Sequence, residues 1–231
     1  MHLRAMRLIW ACALGMLLAG CGGDSPDPDA PVTLFRLNQA YKGWLTAGST
    51  DNFSISGACI GTAKVVTSPA ASSTFEGVVG YSSAQTTSYA FNFCLPLTSV
   101  VAGAAYFDAQ DALLGDMTTG VEYAKASTAA SPLPLLVKVG DTAVYATLTV
   151  YADSSKAVVT GSRAMSYRVE ADGPRSAFVT LVAQGYDNAG LLSYTEQIKF
   201  RITAEAGLAM TAVDAQYGTG PAGHFVYTKV P

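Results

Sequence analysis

The chain has 231 residues, 50% of them hydrophobic and 10% aromatic, which excludes an intrinsically disordered polymer, since such chains are poor in apolar groups. Only 13% of the residues are charged, against roughly 25% in an average soluble domain. The formal net charge is -3 and no Lys/Arg cluster is present, so the basic surface that phosphate binding needs is missing and no nucleic-acid partner is expected.

At the amino terminus Arg4 and Arg7 precede an uncharged apolar run from Leu8 to Leu18, the pattern of a secretory signal peptide over residues 1–20. The run falls well short of the roughly 20 apolar residues a membrane-crossing helix needs. Leu18-Ala19-Gly20-Cys21 follows directly. This tetrad resembles the lipobox of bacterial lipoproteins. The resemblance covers residues 1 to 22 only. It implies that Cys21 is lipidated and becomes the first residue of the mature chain. With Gly22 rather than Asp after the cysteine, it also implies sorting to the outer membrane of a Gram-negative bacterium, facing the periplasm. An acyl anchor gains about 0.8 kcal/mol per buried methylene, and several chains together hold stably.

Residues 21–32 then read as a tether. Alternating Pro26, Pro28 and Pro31 favour an extended backbone, and Asp24, Asp27 and Asp29 are held apart along it rather than wrapped around a cation. Leu34, Leu37, Tyr41, Trp44 and Leu45 recur at steps of three and four, which predicts a short amphipathic helix ending near Gly48. Trp44 lies on its apolar stripe and is expected in the core rather than as a sugar-stacking platform.

From Asp51 the period changes to two. Phe53 and Ile55 alternate with serines, and β-rich runs follow at 62–67, 74–81 and 88–93. No residue from Gly77 to Phe107 is charged. Ala124 to Pro134, rich in small residues and proline, reads as a linker or long crossover. Beyond it Val144, Ala146, Leu148 and Val150 face one way. Met165, Tyr167 and Val169 do the same, opposite Ser166, Arg168 and Glu170. Asp187-Asn188-Ala189-Gly190 predicts a hairpin into 191–203, where Leu192, Tyr194, Ile198, Phe200 and Ile202 share a face and Glu196 intrudes on it.

Roughly ten short strands indicate antiparallel sandwich or barrel-like packing. The expected fold is all-β, an antiparallel β-sandwich-like structure in two lobes, 33–130 and 131–231, behind the short helix. A membrane-spanning barrel is set aside because most strands are shorter than the spanning length and the terminal aromatic usual in such barrels is missing.

Once Cys12 leaves with the signal and Cys21 takes lipid, Cys59 and Cys94 remain. In an oxidising compartment they are expected to form a disulfide, worth about 3.8 kcal/mol by chain entropy alone. No cofactor or metal site is expected. The chain has no G-x-S-x-G, S-x-x-K, H-E-x-x-H or phosphate-loop pattern, and the one histidine after the signal, His224, sits in a turn. Asp108, Asp111 and Asp116 cluster in sequence, and Phe107-Asp108 ahead of Leu113 parallels Tyr186-Asp187 ahead of Leu191; both read as hairpin turns. The expectation is a non-enzymatic envelope binding or assembly accessory, with an envelope protein or a glycan as ligand. The alternatives are a carbohydrate-active or other hydrolase whose carboxylates the sequence does not identify, with Asp108, Asp111 and Glu196 as the positions to test, and a structural spacer.

Overall fold

The computed structural model describes residues 32–230; the signal segment, Cys21 and the tether up to Pro31 lie outside the described residues. One helix, α1 (Leu37–Ala47), precedes thirteen strands. They are β1 (Ser49–Gly57), β2 (Gly61–Thr67), β3 (Ala71–Phe75), β4 (Val78–Phe91), β5 (Thr98–Asp108), β6 (Leu113–Thr118) and β7 (Glu122–Ala126). After a long connection come β8 (Thr142–Tyr151), β9 (Val159–Gly173), β10 (Ser176–Asp187), β11 (Leu192–Thr203), β12 (Leu208–Tyr217) and β13 (His224–Lys229).

Every pairing is antiparallel, and the sheet closes on itself. β1 pairs with β13, placing Ile55 opposite Tyr227, while β2 pairs with β4, placing Val65 opposite Thr87. Twelve strands therefore form a ring, and β3 is an extra strand laid on the first part of β4. This corrects the two-lobed sandwich. Alternating inward and outward side chains look the same in either architecture, and only the distant pairings β1–β13 and β2–β4 decide between them.

Inward positions are read from the register. On β1 they are Asp51, Phe53 and Ile55, all buried, while Asn52, Ser54 and Ser56 are exposed. Eight strands make a barrel that side chains just fill, so a ring of twelve has space left over. One end is filled by α1. Tyr41 meets Phe107 of β5 and Phe200 of β11 edge-on, with centroids 6.3 Å away in both cases, and these two strands stand opposite each other in the ring. The helix thus spans the bore. Leu37, Ala40 and Leu45 bury its apolar stripe, as the sequence periodicity predicts. It stops at Gly48, whose φ of 69° lets its N–H reach the Trp44 carbonyl at 3.1 Å; a Cβ there would come within 2.7 Å of the Thr67 carbonyl oxygen.

The connection expected as an interlobe linker does different work. Its first residues belong to β7, and the rest crosses the same end of the barrel as α1. Phe35 and Val137 exchange backbone hydrogen bonds of 2.8 and 2.9 Å, and Leu133 and Val137 are buried in the core. Proline and small residues give the same composition to a solvated linker and to a chain crossing over a core, which is why the pattern misleads. The single strand expected over 74–81 is instead a hairpin. Glu76 (φ 51°) and Gly77 (φ 82°) form a two-residue turn with both residues at positive φ, the geometry that matches strand twist.

Candidate functional site

Strand alternation sends the loops β1–β2, β4–β5, β6–β7, β8–β9, β10–β11 and β12–β13 to the end of the barrel opposite α1. Inward side chains near that end are not sealed. Tyr89 of β4, Tyr194 and Glu196 of β11, Phe225 and Tyr227 of β13 and Glu122 of β7 all keep some solvent contact, and Tyr217 of β12 is 49% exposed. By contrast Phe53, Val179, Phe200, Ile202 and Met210, inward on the α1 side, are at most 2% exposed. The interior therefore has a plugged apolar half and an open, aromatic and charged half.

The open half is organised around rings. Tyr194 lies 6.0 Å from Tyr217, Tyr217 6.2 Å from Phe225 and Tyr89 6.2 Å from Tyr227, with Tyr89 stacked on Phe91 at 5.6 Å. Tyr194 can lie flat across its neighbour because that neighbour is Gly185, where a Cβ would sit 2.1 Å from the ring. Burial pushes the Tyr194 hydroxyl up to about 12, and burial raises Tyr89, Tyr217 and Tyr227 as well.

Charge enters the open half on four inward positions. Arg163 of β9 donates from Nη1 to both carboxylate oxygens of Asp116 on β6, at 2.9 and 2.8 Å, and from Nη2 to Glu122. Burial opposes its charge, but Asp116 and Glu122 outweigh it and hold the guanidinium protonated. Its Nε is buried without a partner among the described residues. The guanidinium also sits 6.0 Å from the Tyr194 ring centroid. Glu196 faces the same space. Burial raises its carboxyl, Arg163 pulls it down, and Glu122 and Asp116 push it up again.

The residues singled out from sequence are distributed unevenly. Asp108 is a turn residue: its Oδ1 accepts the Gln110 and Ala112 N–H groups, and Asp187 Oδ1 accepts those of Ala189 and Leu191 in the same way. Asp111 lies at the plugged end, taking Lys42 of α1 at 2.6 Å and the Tyr81 hydroxyl at 3.0 Å. It borders a cavity of about 80 Å³ with Tyr41, Asp116 and Tyr145, room for little more than solvent. Of the carboxylates singled out from sequence, Asp116 and Glu196 reach the open half. His224 approaches Asp214 Oδ1 at 3.0 Å after a short 3-10 turn, Pro221–Gly223, and is half-buried on the outer side. Trp44 packs edge-on against Phe200 at 5.2 Å in the core. Cys59 and Cys94 are within disulfide distance, with Cα atoms 5.9 Å apart, and tie the β1–β2 loop to the β4–β5 loop at the open end.

Arg163 and Glu122 are additions to the residues read from sequence. The signal for Arg163 was present: it precedes Met165, Tyr167 and Val169 at the same parity, so an inward strand face begins with a cation. Glu122 stands in the same relation to Ala124. The fold and interior define a closed antiparallel barrel with one stoppered and one open end. Comparison of the chain with family models, with curated proteins and with solved structures yields no match.

Proposed function

We propose that this is a lipid-anchored envelope protein, tethered through Cys21 at the periplasmic face of the outer membrane, whose barrel binds a small amphipathic ligand through its open end. The observation that carries the reading is the contrast within one bore, sealed around α1 and accessible around Tyr89, Tyr194, Tyr217 and Tyr227. At the plugged end the rings of Tyr41, Trp44, Phe107 and Phe200 pack on one another as filling. Partly wetted tyrosines instead offer ring faces and hydroxyls to a guest.

A water-bathed barrel is favoured over a spanning one by its outer face. Asn52, Ser54, Lys64, Ser88, Arg168 and Glu170 point outward and are exposed, where a membrane-spanning barrel carries an apolar band. The hydrolase alternative gains nothing from the aspartates singled out from sequence, because Asp108 is occupied in a turn and Asp111 is bound to Lys42 away from Glu196.

Two measurements test the proposal. Radiolabelled palmitate is expected to be incorporated by the wild type and not by Cys21→Ser; equal labelling of both would overturn the anchor. In tyrosine-labelled protein, a panel of octyl amphiphiles is expected to shift the ring resonances of Tyr89, Tyr194, Tyr217 and Tyr227 and to leave Tyr41 and Tyr145 in place. No shift in the first group with any of them would end the binding reading.

A further inference from the structure

The rings, the charges and the loop tips at the open end each narrow the guest. Aromatic faces carry negative quadrupole density and attract cations, and an ammonium among several rings is the arrangement in which that attraction counts most. Around these rings stand three carboxylates, Asp116, Glu122 and Glu196, and one guanidinium, Arg163. Arg163 is taken up by Asp116 and Glu122, so Glu196 is the carboxylate left facing the tyrosines. An anionic guest would meet the wrong sign. A bare metal ion is also a poor fit, because no three carboxylate, histidine or cysteine side chains among the described residues gather closely enough to hold one.

The loop tips add an apolar requirement. Ile60, Phe93, Leu95, Val121, Val158 and Leu191 come from five different loops that all lie at the open end, and each is more than half exposed, Phe93 and Leu95 at 88%. A run of large apolar residues around a mouth needs something to cover it. The cover that also explains the bore is the body of a guest whose head is inside.

Resting on the reading of the bore as a ligand site, we infer that the guest is an amphipathic organic ammonium. Its cationic head lies among Tyr89, Tyr194, Tyr217 and Tyr227 with Glu196 as counter-ion, and its apolar body leaves across the loop tips. No covalent step is involved.

Titration calorimetry below micelle-forming concentrations distinguishes the outcomes, using octyltrimethylammonium, octyl sulfate, octyl glucoside and tetramethylammonium as probes. Octyltrimethylammonium is expected to bind tightest. Tetramethylammonium should bind at least about tenfold more weakly, since it has no apolar body to bury against the loop tips. Glu196→Gln, checked for unchanged folding by its circular dichroism, should weaken octyltrimethylammonium about tenfold and leave octyl glucoside unchanged. Leu95→Ser with Leu191→Ser should weaken every octyl probe and spare tetramethylammonium. If octyl sulfate binds as well as the ammonium, or Glu196→Gln changes nothing, the ammonium assignment fails while the interior site stands. If no octyl probe binds, both fail together.

Discussion

Arg163 carries a permanent charge on the inner wall of a barrel, and its neighbours decide what that costs. Its side chain is 7% exposed and its two terminal nitrogens are occupied by Asp116 and Glu122. Removing one member of such a buried set leaves the others charged and unpaired, which costs about 3–5 kcal/mol. Arg163→Met is therefore expected to lower unfolding free energy by about that amount in urea melts. Adding Asp116→Asn and Glu122→Gln should recover most of the loss; a triple variant as unstable as the single one would contradict the pairing. Glu76 presents the opposite case on the outer wall. Lys156, Tyr123 and Lys125 converge on its carboxylate and lower it from 4.5 to about 2. A carboxyl bound more tightly as the anion in the folded chain stabilises it above the ordinary value, and that stability is lost as pH falls from about 4.5 towards 2. The melting temperatures of wild type and Glu76→Gln should differ at neutral pH and converge near pH 2. A constant gap across that window would show that charge is not what Glu76 contributes.

At the scale of elements, α1 acts as a stopper rather than as a surface helix. Tyr41 and Trp44 touch Phe200, and Tyr41 reaches across to Phe107, so the helix braces opposite walls. Trp44→Ala would leave a void against Phe200 and is expected to cost about 3 kcal/mol in chemical denaturation. A loss below about 1 kcal/mol would mean that the wall holds without the brace. The helix was legible from sequence because steps of three and four leave a stripe that no strand can imitate. The positions of β1, β2 and β8 to β11 were legible for the same kind of reason, down to the misplaced Glu196, whereas β5, β6, β7, β12 and β13 carried no run that set them apart. The closure was not, since pairing Ile55 with Tyr227 leaves no trace in either segment. The stretch Ala124 to Pro134 was misread because Leu133 stands alone among small residues, without a period to announce that it is buried. At the open end the tyrosines were visible singly, but their assembly depends on β4 meeting the distant run β11 to β13.

For the whole molecule, the two ends of the barrel differ in what secures them. The plugged end has a continuous apolar core, whereas the open end relies on the strand ladders and on the link between Cys59 and Cys94. Replacing both cysteines by serine is expected to cost about 2–4 kcal/mol. Hydrogen exchange should quicken first at the β1–β2 and β4–β5 loops, leaving the amides of α1 protected. Equal acceleration throughout would show that the link steadies the whole barrel rather than its mouth.

The seam between β1 and β13 also imposes an order of events. Phe53 finds its partner in Lys229, twelve strands later, so neighbouring strands can zip as they emerge while the ring itself stays open until β13 is made. Until then β1 and β12 each expose an unpaired edge, the kind of surface on which other chains nucleate. A half-delivered chain is therefore a sticky ribbon, and only the arrival of the six-residue β13 turns its twelve-strand ring into a closed cylinder.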